Sequence, residues 1–245
     1  MYNSMLSKAT LYGTGLNNLT TSGSKKLREF NEEVSKKLEN WRQSVKDFEL
    51  SNFSFFKKHG WANEDIPKIF YQKDFTDIVY DKRKCGYIFS HSTHDDSFQT
   101  MADGGNIPCT IATMMQALKF KSNLGASPYV VGRTLYNNNY ILEDNSTDIL
   151  AMDKFFLDTV IGVNTVAESV DELYTALDEH KVVSALVDSK LLHHENSSCE
   201  ECINIWRFSG ACAVVSSSLS PLPVHTVKLE DLFKSTKRAW ILTSI

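Results

Sequence analysis

Apolar residues recur at three- and four-residue spacing from Leu27 through Phe30, Val34, Leu38, Trp41, Val45 and Phe48, with Lys, Arg and Glu between them. That period places them on one face of a long helix, for which Ser24 is the predicted N-cap. The face is expected to pack on its own domain; pairing with a second copy or docking of a partner through helix 24–48 are the alternatives. A second stripe, Ile111, Met114, Met115 and Leu118, follows the loop Gly104-Gly105-Asn106-Ile107-Pro108 and starts at Cys109. Pro108 suits a helix start, because its missing N–H would have no intrahelical partner there. Further helices are expected after Ser127-Pro128 up to the Asn137-Asn138-Asn139 break, over 148–161, over 168–179, and in the short LEDLFKS run at 229–235. Strands are expected at 162–166, 181–188, 210–215, 225–227 and 239–245. Residues 181–188 are apolar on both faces, which predicts a central position in a sheet.

Between these elements the pattern is looser. Residues 1–23, rich in Gly, Ser, Thr and Asn, read as a flexible lead-in. Residues 52–90 carry Phe53, Phe55, Phe56, Trp61, Phe70, Tyr71, Phe75, Tyr80, Tyr87 and Phe89, a density that predicts core. His91-Ser-Thr-His94-Asp95-Asp96 reads as a polar loop, and 189–208 as an exposed insertion. The organisation expected is a lead-in and amphipathic helix over 1–50, followed by one domain over 51–245.

Composition narrows the classes. The 245 residues are 42% hydrophobic and 23% charged, ordinary for a globular chain, with a formal net charge of −4 and a pI near 6.0. That balance predicts no nucleic-acid partner. No apolar run is long enough for a membrane span, and the N-terminus lacks the apolar core of a signal peptide. Five cysteines at irregular spacing predict a reducing compartment rather than a disulfide framework. A cytoplasmic location is therefore expected, with signal-independent export left open.

Candidate chemistry centres on Cys109. A cysteine in the first turn of a helix lies near unpaired N–H groups and the positive end of the helix dipole, which favour the nucleophilic thiolate. The competing reading is a small buried hydrophobe, given its Ile, Ala and Met neighbours. His193, His194, Cys199 and Cys202 include four zinc-type donors, yet their spacing matches no standard finger. An ordinary loop without metal is expected there, and no cofactor.

Helices around an early cysteine followed by an antiparallel sheet is the order of a papain-like α+β fold. Residues 99–245 resemble the C39-type cysteine peptidases, the bacteriocin-leader peptidase family. That family carries Cys-Gly-Pro-Thr-Ser-Leu-Ala-Met at a helix start, a strand ending in Leu-Val-Asp, Gly-His on a Val-rich strand, a Leu-Glu-Glu-Phe-like helix and a final apolar strand. This chain offers Cys109-Thr-Ile-Ala-Thr-Met-Met-Gln-Ala-Leu118, Ala185-Leu-Val-Asp188, Gly210-Ala-Cys-Ala-Val-Val215, Leu229-Glu-Asp-Leu-Phe233 and Trp240-Ile-Leu242 in that order. The resemblance implies a cysteine hydrolase acting on a peptide or protein, with Cys109 as nucleophile, Gln99 as oxyanion donor and Asn106 as reserve donor. Gly-Pro after the cysteine is Thr110-Ile111 here, the general-base position falls on Ala211, and Ser218–Val224 supplies no Asp or Asn. Without an imidazole, nothing takes the thiol proton. A naturally vacant base position, a replacement that silences an active enzyme, and recruitment of His225, His193 or His194 all remain open. Glutamine deamidation and acyl transfer use the same thiol chemistry. A catalytically dead peptide- or protein-binding module is the rival class.

Overall fold

The computed structural model describes residues 21–48, 57–78, 80–81, 99–118, 127–154, 162–194, 199–220, 222 and 224–244. The lead-in at 1–20, Phe53, Phe55, Phe56, Tyr87 and Phe89, the His91–Asp96 loop, and 155–161 lie outside them. Eight α-helices are found among the described residues: α1 (Thr21–Asp47), α2 (Met101–Gly104), α3 (Asn106–Ala117), α4 (Pro128–Asn137), α5 (Leu150–Lys154), α6 (Val170–Asp178), α7 (Ser189–His193) and α8 (Leu229–Ser235). Strands β1 (Lys58–Gly60), β2 (Gly162–Val166), β3 (Val182–Asp188), β4 (Glu200–Ser209), β5 (Cys212–Ser217), β6 (Val224–Lys228) and β7 (Thr236–Ser244) form one seven-stranded sheet. Its order is β2-β7-β3-β4-β5-β6, with β1 pairing β4, and every pair is antiparallel. The protein is α+β.

The expected helix starts are met by local chemistry. Ser127 Oγ accepts the Val130 N–H at 3.3 Å and Pro128 opens α4. Ser169 Oγ accepts the Glu172 N–H at 3.2 Å at the head of α6. Helix α1 begins at Thr21, three residues before the expected cap. Its stripe is spent inside the molecule: Val34 and Trp41 are buried, and Phe30, Leu38, Val45 and Phe48 pack against the same core. An aromatic chain continues that contact from α1 to α8, β4 and α6. Ring centroids lie 4.8 Å apart for Phe48 and Phe233, 5.6 Å for Phe233 and Phe208, and 4.6 Å for Phe208 and Tyr174.

Strand β3 is central, as its two apolar faces predicted, held between β7 and β4. The expectation of an exposed loop over 189–208 is corrected. Residues 189–193 form α7, and β4 occupies 200–209 in mid-sheet, buried along most of its length. Glu201, Asn204 and Arg207 interrupt its apolar run, so the pattern looked loop-like, while pairing to β3 and β5 on either side holds it extended. The strand expected at 210–215 starts later, at Cys212. Gly210 and Ala211 form the β4–β5 turn, and Gly210 takes a left-handed φ of 59° that glycine adopts without penalty.

Candidate functional site

The head of α3 meets the sheet at the start of β4, and a short elbow sets that meeting. Asp103 Oδ2 accepts the Thr100 N–H and hydroxyl, each at 3.0 Å, capping the N-terminus of α2. Gly105 then turns the chain into α3; a Cβ there would stand 2.3 Å from the Met101 carbonyl oxygen. Asn106 follows as the first residue of α3. Its Nδ2 donates to the Cys202 carbonyl at 3.0 Å and to Ser218 Oγ at 2.9 Å, and its Oδ1 accepts the Cys202 N–H at 2.7 Å. The side chain thus takes up both main-chain groups of Cys202, continuing the ladder where β5 has ended at Ser217. Thr110 Oγ1, one turn on, also donates to the Cys202 carbonyl, at 3.1 Å. This is why α3 sits on β4.

Cys109 does not occupy that junction. It is the fourth residue of α3, its N–H already donates to the Gly105 carbonyl at 3.0 Å, and its side chain is fully buried. Burial, with the Asp74 carboxylate adding to it, pushes the thiol up to about 12. The dipole effect expected from the sequence is outweighed by desolvation, and little thiolate exists near neutral pH. Gln99 lies on the exposed segment before α2, where its N–H reaches Asp81 Oδ2 at 3.4 Å and its carbonyl accepts the Tyr80 N–H at 2.9 Å. Ala211 is exposed in the β4–β5 turn, its carbonyl accepting the Leu229 N–H at 2.9 Å. Seven strand steps, about 23 Å at ~3.3 Å per residue, separate Ser209, beside that turn, from Cys202 at the α3 end of β4. The fold therefore brings Asn106 to the sheet and does not bring Ala211 to Cys109.

The four zinc-type donors also separate. His194 Nε2 lies 3.3 Å from Asp231 Oδ2, Cys199 Sγ lies 2.9 Å from Ser189 Oγ, and Cys202 is buried with its thiol pushed far up by desolvation. His193 Nε2 lies 3.4 Å from Glu201 Oε2. Among the described residues no group of three or more His, Cys, Asp or Glu side chains is placed to hold a metal.

Sequence reasoning missed the polar cluster around Glu201. This buried carboxylate accepts the Ser217 hydroxyl on Oε1 and faces His193 on Oε2, with the His193 and His225 rings 5.5 Å apart. Hydroxyl and imidazole thus address opposite oxygens of one carboxylate. The imidazole does not take the hydroxyl proton, so the cluster differs from a nucleophile–base pair. Only the register that pairs β4 with β5 brings Glu201 and Ser217 together.

Beside the α3–β4 junction lies a cleft of about 550 Å³, lined by Gln72, Asp103, Gly104, Asn106, Ile107, Leu142, 146–149, Leu186, 199–200, Cys202 and Leu219. It opens between the α2–α3 elbow, the 141–147 bridge and the starts of β4 and the β5–β6 loop. Its size is that of ligand-binding clefts. No helix among the described residues is long and apolar enough to cross a membrane. No family model matches this chain, and neither a curated protein nor a solved structure does so significantly.

Proposed function

We propose that this chain is a catalytically silent, papain-like module of the C39 type that binds a peptide or protein segment in the cleft beside Asn106. One observation carries the reading. The residue at the head of the helix that meets the sheet is an asparagine whose amide is wholly engaged by Cys202 and Ser218.

The family's run Cys-Gly-Pro-Thr-Ser-Leu-Ala supports the same assignment once its proline is matched to Pro108. It then falls on Asn106-Ile-Pro-Cys-Thr-Ile-Ala112, with Asn106 in the nucleophile's place and Cys109 three residues inside the helix. The Cys202 main chain on β4 and the Ser218 hydroxyl after β5 are what approach it, where a working site needs an imidazole and the group that orients it. An amide is not a nucleophile for acyl transfer, which supports a binding role over peptidase, deamidase and acyltransferase chemistry. The cleft remains.

Thiol labelling tests this. Native protein treated with iodoacetamide near pH 7.5 and mapped by mass spectrometry should label the exposed Cys199 well before Cys109. Turnover of peptide substrates should be absent. Labelling of Cys109 faster than free cysteine, or peptide turnover abolished by Cys109→Ala, would overturn the proposal.

A further inference from the structure

The cleft beside Asn106 has a one-signed wall. Asp103, Asp148 and Glu200 line it, and among the described residues no Lys, Arg or His does. Two cations stand at its edge without lining it: Lys73 is 3.9 Å from Asp103, and Lys237 is 2.9 Å from Glu200, both on partly exposed side chains. Backbone and hydroxyl hydrogen bonds from Thr100 hold the Asp103 carboxyl below its ordinary range, keeping it charged.

Gln72 adds a second, independent feature. It is 3% exposed and lines the cleft; its Nε2 donates to the Ala102 carbonyl at 2.9 Å, while its Oε1 has no hydrogen-bond partner among the described residues. A buried acceptor without a donor is costly, and a ligand N–H would satisfy it. Five aliphatic side chains share the lining: Ile107, Leu142, Ile149, Leu186 and Leu219. Leu142 and Leu219 are 41% and 36% exposed, two of the few large apolar side chains left open to solvent among the described residues.

Acceptors, negative charge and open aliphatic surface together select a donor-rich cation on an apolar body. We infer that the cleft takes an extended peptide segment in which lysine or arginine is flanked by aliphatic residues. Charge complementarity selects this occupant over an acidic or neutral peptide. The inference rests on the binding-module reading and adds the charge class of the partner.

Fluorescence anisotropy with three labelled octapeptides tests it on the full chain. One alternates leucine with lysine and arginine, a second replaces the basic residues by glutamine, and a third replaces them by glutamate. The basic peptide should bind saturably and at least about 10-fold more tightly than the glutamine peptide at low salt, the difference shrinking as salt rises. Glu200→Lys should weaken the basic peptide by about 5-fold or more and leave the glutamine peptide unchanged. If that variant fails to fold, Leu142→Ser provides the second arm and should weaken both peptides alike. Equal binding of all three peptides overturns the charge assignment while leaving the binding module standing. No binding by any of them overturns the assignment outright. Rapid Cys109 alkylation with peptide turnover instead removes the underlying reading.

Discussion

Asn106 is the residue on which the site turns. Deleting its side chain strips the buried Cys202 N–H of its acceptor and the Cys202 carbonyl of one of two donors. Each unmet buried group costs about 1–3 kcal/mol, so Asn106→Ala should lower the stability by about 2–4 kcal/mol in urea unfolding. A loss below about 0.5 kcal/mol would mean that the junction is held elsewhere. Asn106→Asp keeps the acceptor for the Cys202 N–H but sets a carboxylate against the Cys202 carbonyl. Its loss should be similar at neutral pH and smaller as the pH falls toward the carboxyl range. Cys109, three residues on, shows the opposite case, a reactive residue type that its position in the helix buries. The same three-residue displacement separates a thiol in the core from an amide on the sheet.

Among the elements, α1 has the largest single anchor. Trp41 is fully buried, its ring stands edge-on to Phe233 at 6.4 Å, and its Nε1–H donates to the Thr236 carbonyl at 3.4 Å. Replacing such a ring by alanine costs about 3–5 kcal/mol, so Trp41→Ala should release α1 from the sheet. Limited proteolysis should then cut within 21–47 well before the strands. Cleavage at wild-type rates would show that the helix is held by its other contacts. The amphipathic stripe of α1 had three candidate partners in the sequence, and the aromatic chain through Phe233 and Phe208 shows that its own domain covers it. Strand β4 went unread because pairing on both sides holds a strand extended through polar residues, two of which find side-chain partners across the fold. Glu201 meets Ser217, and Arg207 reaches the Trp61 carbonyl at 3.0 Å and Asn63 Oδ1 at 2.8 Å.

At the scale of the whole molecule, stability should depend on pH through His225. Burial, with the nearby His193, holds its folded pKa below the ordinary 6.5. The unfolded chain therefore binds more protons as the pH falls through that region. Stability contributed by neutral His225 is complete above about pH 6.5 and declines as the pH drops toward the folded value. Urea midpoints should fall between pH 7 and pH 5, and His225→Gln should flatten that slope; an unchanged slope would remove His225 from the account. A separate decline belongs below about pH 4, where the unfolded chain takes up protons that Asp103 and Asp178, held low by Thr100 and by His59 and Lys57 respectively, resist in the fold.

Periodicity by itself determined α1, α4 and α6 and the central place of β3, because each rests on neighbours in the chain. A stripe at helical spacing, a capping serine, or a run apolar on both faces carries its own explanation. What only the tertiary structure decided depends on residues far apart in sequence. Nothing local tells Asn106 from Cys109 as the side chain that meets the sheet, since Cys202 and Ser218 lie 96 and 112 residues away. Nothing local shows that Ala211 is a turn at the far end of β4, because strand length is set by pairing on both sides. The acidic cleft likewise gathers Gln72, Asp103, Asp148 and Glu200 from four separate segments, and their shared charge exists only once the chain has closed around it.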